Sequence, residues 1–127
     1  MNILRWVLAL ALAGFFIFMG AQKFGAENVI FATIAERSGM SIFEPGMRMA
    51  TGVAEIVAAM LLISPKLRVQ GARIGLLILI GALGFHLSPW LGISIEGMGN
   101  SVFIMALGGL ALTLAVFFIE RKALREK

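Results

Sequence analysis

The stretch ILRWVLALALAGFFIFMGA, from Ile3 to Ala21, carries one charge, Arg5, and is otherwise apolar or small. Crossing the hydrocarbon core of a bilayer as a helix takes about 20 such residues, so this stretch predicts a membrane span. Three more of the same kind follow, at about Met47 to Ile63 (MRMATGVAEIVAAMLLI), Val69 to Leu87 and Ser101 to Ile119. Together they predict an all-α integral membrane protein, a four-helix transmembrane bundle forming a single domain over residues 1–127. The turn Ser64-Pro65-Lys66-Leu67-Arg68 is short, so the second and third spans must be antiparallel neighbours. Pro65 and Pro89 punctuate span ends, because proline does not continue a helix comfortably. The basic start and apolar run of the first span resemble a secretory signal. The run is long for a signal, however, and MGAQK is a poor cleavage site, so an uncleaved helix is expected.

Composition excludes several classes of function. With 60% hydrophobic and 14% charged residues, the chain has too little polar surface for a soluble domain of its length. The formal charge of +4 sits beside the apolar spans and not in a stripe with interleaved aromatics. Nucleic acid is therefore not an expected partner, and the lipid bilayer is. The absence of cysteine removes disulfides, iron–sulfur ligation, zinc thiolate sites and CxxC chemistry. A single histidine, His86, cannot make a bis-histidine haem or metal site, so no metal is expected. The eight methionines suit packing filler, and Trp6 and Trp90 fall near span ends, where interfacial anchors belong.

Orientation is read from Lys and Arg. Arg5, Lys66, Arg68, Arg73, Arg121, Lys122, Arg125 and Lys127 fall on one side, against Lys23, Arg37 and Arg48 on the other. The basic side should be cytoplasmic, which puts both termini inside a cell (inner or plasma) membrane. The tail RKALREK reads as a stop-transfer anchor, with lipid headgroup binding as the alternative. The long connection from Gln22 to Gly46 is then on the outer side. Its stretch Glu27 to Arg37 mixes polar and apolar residues and predicts a short interfacial helix with Val29, Ile30 and Ile34 pointing to lipid or to the bundle; a disordered loop is the alternative. Pro89 to Asn100 reads as an irregular cap. Small residues pair at helix-packing spacing: Ala9 with Ala13, Ala54 with Ala58, Gly71 with Gly75. Gly71-x-x-x-Gly75 admits a homo-oligomer face, though packing within the chain is the expected use.

Glu55 is the residue that most needs a function. It stands inside an apolar span, where a charge costs on the order of 2.5–3.5 kcal/mol and commonly faces an interior or a wet cavity. It must carry a proton or have a cationic partner. At about 1.5 Å per residue, Glu55 lies roughly 16 Å from the inner turn at Lys66. Lys23, Arg48 and His86 share a level about 10 Å further out. Arg48, Thr51 and Glu55 share a helix face, so a long Arg48 side chain bending inward could meet the carboxylate directly or through water. The result would be a polar pocket entered from the outer side, with Glu55 at its floor. Each cation has a plainer alternative: Lys23 and Arg48 as snorkelling anchors, and His86 as a hydrogen-bonded interfacial residue.

The motifs at these positions resemble the DoxX family. Gly20-Ala21-Gln22-Lys23-Phe24 is similar to its G-x-x-K-F/L signature. So are Arg48 with Thr51-Gly52-Val53-Ala54-Glu55, the following Leu61-Leu62-Ile63-Ser64-Pro65-Lys66-Leu67-Arg68, and Gly81-Ala82-Leu83-Gly84-Phe85-His86-Leu87. The resemblance runs from about residue 5 to 119. It implies a four-helix membrane fold, a link to redox physiology and a polar set of Lys23, Arg48, Glu55 and His86. Relatives of that kind include the membrane subunit of a thiosulfate:quinone oxidoreductase and partners of superoxide dismutase-like systems. Without cysteine, a dithiol mechanism like that of vitamin K epoxide reductase is untenable.

The leading expectation is thus a membrane subunit or accessory protein of a redox system, with a redox partner protein and no covalently bound cofactor. It would bind a quinone or similar lipophilic molecule through Lys23, Arg48, Thr51, Glu55 and His86. The cations and His86 would donate to the carbonyl oxygens, and Glu55 would exchange the accompanying proton. A non-catalytic scaffold and a small proton-coupled exporter are the alternatives. No nucleophile–base pair or phosphate-cradling glycine loop is present, so an accessory oxidoreductase subunit is expected in preference to an autonomous enzyme.

Overall fold

Runs of apolar residues with few breakers become helices here, and punctuation ends them. The computed structural model describes residues 3–25, 28–95 and 97–126. Glu27, which opens the expected interfacial helix, Glu96 in the cap and Lys127 in the tail lie outside the described residues. The helices are α1 (Ile3–Ala21), α2 (Val29–Ser38), α3 (Gly46–Ile63), α4 (Arg68–His86) and α5 (Ser101–Arg125). All but α2 are long and apolar enough to cross a membrane. Regular structure among the described residues is helical throughout, apart from an isolated bridge between Ile95 and Gly99.

The spans therefore fall where hydropathy predicts, with one extension. α5 continues beyond Ile119 to Arg125, because Glu, Arg, Lys, Ala and Leu are all good helix formers. Basic side chains also suit the negative end of the helix dipole. The mixed segment after α1 does form a helix, α2. Its start is fixed by Asn28, whose side chain accepts from the backbone N–H of Ile30 (3.0 Å) and Phe31 (3.3 Å). Its end is fixed by Gly39, at φ 74°, a left-handed conformation that glycine adopts without a Cβ penalty.

The four long helices close into a ring: α1 packs against α3 and α5, and α4 packs against the same two. The core runs through Leu12, Phe16, Ala58, Leu62, Ala72 and Val116. Glycines set how closely the helices approach. A Cβ on Gly71 would lie 2.9 Å from the Ala58 carbonyl oxygen, so α4 lies directly on the α3 backbone there. Gly75 and Gly109 receive the rings of Phe16 and Phe15, which stand edge to face at 5.4 Å. Both glycines of Gly71-x-x-x-Gly75 are thus occupied by packing within the chain.

The two termini sit at the same end. Arg5 forks onto Glu120, with Nη2–Oε1 at 2.7 Å and Nε–Oε2 at 3.1 Å. Arg68, fully buried, places Nη1 3.7 Å from Glu120 Oε2 and its guanidinium 4.0 Å above the Trp6 ring. Its Nε donates to the Leu62 carbonyl at 2.9 Å. Arg5 and Arg68 read in the sequence as orientation signals, and Trp6 as an interface anchor. Here they join α1, α4 and α5 around one carboxylate.

Candidate functional site

At the opposite end, beneath α2, the ring opens into a cavity of about 390 Å³. Its polar side chains are placed by a helix crossing. Gly20 of α1 faces Gly52 of α3 so closely that a Cβ on Gly20 would sit 3.1 Å from the Gly52 carbonyl oxygen and 3.2 Å from Glu55 Cβ. A Cβ on Gly52 would in turn meet Lys23 Cβ at 3.0 Å. With no side chains at these two positions, the 3₁₀ turn Gln22–Phe24 that ends α1 rests on α3.

Lys23 is consequently turned inward. Its Nζ lies 2.7 Å from Glu55 Oε1 and donates to the Met19 carbonyl at 3.2 Å. Glu55 is 3% exposed, so its charge has the cationic partner that burial requires. At 2.7 Å the ammonium and Oε1 form a close ion pair, and a carboxylate offers more acceptor sites than one donor fills. The carboxylate has charge compensation but retains capacity to accept.

Arg48, the cation that shares a helix face with Glu55, turns elsewhere. Arg48 Nε donates to Glu44 Oε1 at 2.6 Å, and its Nη1 donates to the carbonyls of Lys23 and Gly25, each at 2.7 Å. Carbonyls at the end of a helix lack partners in the helix itself and form its negative pole. A guanidinium at the start of α3 is well matched to them. Arg48 therefore acts on the cavity through the main chain of Lys23, and its own side chain is not among those lining the cavity.

Lys23, Thr51, Glu55 and His86 all line it. His86 is buried, with Nδ1 2.9 Å from the Gly92 carbonyl and its ring edge-on to Phe103 at 5.6 Å. A carbonyl only accepts, so Nδ1 carries the proton in that contact, and in the neutral ring Nε2 is an acceptor. With Nδ1 engaged by the Gly92 carbonyl, Nε2 is the ring nitrogen through which a ligand would meet His86. The remaining wall is apolar, with Phe15, Met19, Phe31, Ala54, Ile78 and Phe85 among its contributors.

A polar pocket open toward the loops was expected. The structure roofs that side with apolar side chains: Ile34 of α2, Phe43, Leu91 and Ile95 form a second buried cluster. Arg37 Nη1 donates to the Leu91 carbonyl at 3.0 Å and ties the end of α2 to the α4–α5 connection. No group of three or more metal-binding side chains occurs among the described residues. The Glu120 cluster was not singled out in the sequence. Its one signal was an acid at the same level as Arg5 and Arg68, hidden because Arg121 and Lys122 make it look like part of a solvated tail.

No family model, no curated protein and no solved structure matches the chain.

Proposed function

We propose that this protein resides in a cell membrane with both termini cytoplasmic, and binds a quinone, its quinol, or a similar lipophilic molecule as an accessory subunit of a redox system. The observation that carries this reading is the cavity: a mostly apolar space of about 390 Å³ lined by both members of the Lys23–Glu55 ion pair. Ligand pockets of about 300–1,000 Å³ with mostly apolar walls and a few convergent polar groups suit apolar ligands with polar anchors. Lys23 supplies a donor for a carbonyl or phenolate oxygen. Glu55 Oε1 and, in the neutral ring, His86 Nε2 supply acceptors for a hydroxyl. Donors beside acceptors match both redox forms of a quinone head, and Glu55 is placed to exchange the proton that accompanies reduction. The basic residues at the termini end support the orientation. Lys23, Glu55 and His86 line the cavity and Arg48 holds the Lys23 main chain, so these polar residues are gathered at one site.

The test is a titration of the protein in nanodiscs with a short-tailed quinone, following ligand-dependent fluorescence. Saturable binding weakened by Glu55→Gln supports the reading. A wild-type protein that binds neither quinone nor quinol overturns it and favours a non-catalytic scaffold. Substrate-driven proton release in liposomes would favour the proton-coupled exporter instead.

A further inference from the structure

We infer that the cavity is loaded sideways from the bilayer, through a slot between α3 and α4, and that its occupant is a long-tailed lipid. The head of that lipid lies at Lys23 and Glu55 while its chain stays in the slot. The inference rests on reading the cavity as a ligand site and adds where the ligand comes from and what shape it has.

The walls of the cavity differ in one respect. Among the residues lining it, those exposed at the surface are Met47 and Ala50 of α3 and Leu77 and Gly81 of α4. Met47 and Ala50 are one helical turn apart, as are Leu77 and Gly81, so each pair forms a stripe along its helix. Every lining residue from α1, α2 and α5 is buried or half-buried. The α1–α3 side is shut by the contact of Gly20 with Gly52, and the α1–α5 side by Phe15 on Gly109. The loop side is roofed by Ile34, Phe43 and Leu91.

Helices α3 and α4 touch at the termini end, where a Cβ on Gly71 would collide with the Ala58 carbonyl at 2.9 Å. At the level of the cavity, which both helices line, a Cβ on Gly81 would meet nothing within 4 Å. Ten residues of α4 separate the two glycines, about 15 Å along the helix. The rim is small and apolar, with Ala50, Ala54, Gly81 and Ala82, and Leu77 beside it is 73% exposed. A water-borne ligand would face the roof, but one dissolved in lipid meets the opening directly. At about 390 Å³ the cavity is near the lower limit for ligand pockets. It holds a ring and the first carbons of a chain, and a longer chain must leave through the slot.

Two benzoquinones separate these ideas: one bearing a long alkyl tail, and one with the same ring substituted only by methyl groups. The double variant Ala50→Leu/Gly81→Leu adds bulk at two exposed rim positions, and a Cβ on Gly81 meets nothing within 4 Å. This variant should weaken the tailed probe by about tenfold or more and the tail-less ring by much less, with the ring still sensitive to Glu55→Gln. Unchanged binding of the tailed probe by the double variant, with Glu55→Gln still weakening it, overturns the slot and spares the site. Binding of neither probe to the wild type overturns both. A photoreactive group on the first carbons of the tail gives a second measurement on the unaltered protein. Adducts should fall within residues 47–54 or 77–85, and adducts confined to α2 would contradict lateral loading.

Discussion

Lys23 and Glu55 meet 2.7 Å apart where Gly20 and Gly52, each three residues earlier in the chain, let α1 and α3 touch. The glycines and the ion pair form one device. The crossing directs the lysine stem down into the bundle, where a lysine at a span end would otherwise snorkel outward. It also supplies Glu55 with its countercharge without closing the cavity beside it.

Removing one member of a buried pair leaves the other charge uncompensated, at a cost of about 3–5 kcal/mol, while replacing both with apolar residues is often neutral. Glu55→Leu and Lys23→Met should each lower the midpoint of thermal unfolding in detergent. The double variant Lys23→Met/Glu55→Leu should recover most of the loss. A double variant no more stable than the worse single one would show that the two charges are not coupled.

Gly52→Leu should push the Lys23 turn off α3 and abolish quinone binding along with stability, because even a Cβ there meets Lys23 Cβ at 3.0 Å. Gly84→Leu serves as its control. A Cβ on Gly84 meets nothing within 4 Å, and an exposed change of this kind stays within about 0.5 kcal/mol. Equal effects of the two substitutions on the melting temperature would contradict the account of the crossing.

Arg48→Lys keeps the charge but cannot reproduce the guanidinium geometry that reaches Glu44 and two carbonyls at once. Hydrogen bonds to charged groups contribute about 1.5–3 kcal/mol each. The variant should weaken quinone binding through a displaced Lys23, by less than Glu55→Gln does, and raise the protease sensitivity of the segment after α1. Binding indistinguishable from the wild type would remove Arg48 from any role in positioning the site.

At the termini end, Glu120→Gln leaves Arg5 and Arg68 without their carboxylate and should destabilise the bundle by about 3 kcal/mol. Quinone affinity measured below the unfolding temperature should not change, because this cluster lies at the other end of the core from the cavity. An affinity loss matching that of Glu55→Gln would mean the two ends are coupled.

The four long helices were legible because a bilayer-length apolar run has few alternatives, and their observed bounds follow the hydropathy closely. Glu55 was legible for the opposite reason, as a charge where none is affordable without a partner. The identity of that partner was not. Depth counted along helix axes put Lys23 and Arg48 at one level above Glu55, and axial rise does not record which way a side chain turns. That choice is made by Gly20 and Gly52 across two helices, and by the carbonyls at the end of α1 that capture Arg48. Position 120 failed for a related reason. An acid beside Arg121 and Lys122 reads as part of a charged tail until α1 and α4 bring Arg5 and Arg68 against it.

The most direct test of the central claim is an infrared difference spectrum recorded as quinone is added to the protein in nanodiscs. Ligation at the Lys23–Glu55 pair predicts a perturbed carboxylate band that disappears in Glu55→Gln. A difference spectrum identical in the two proteins, with quinone bound in both, would contradict it.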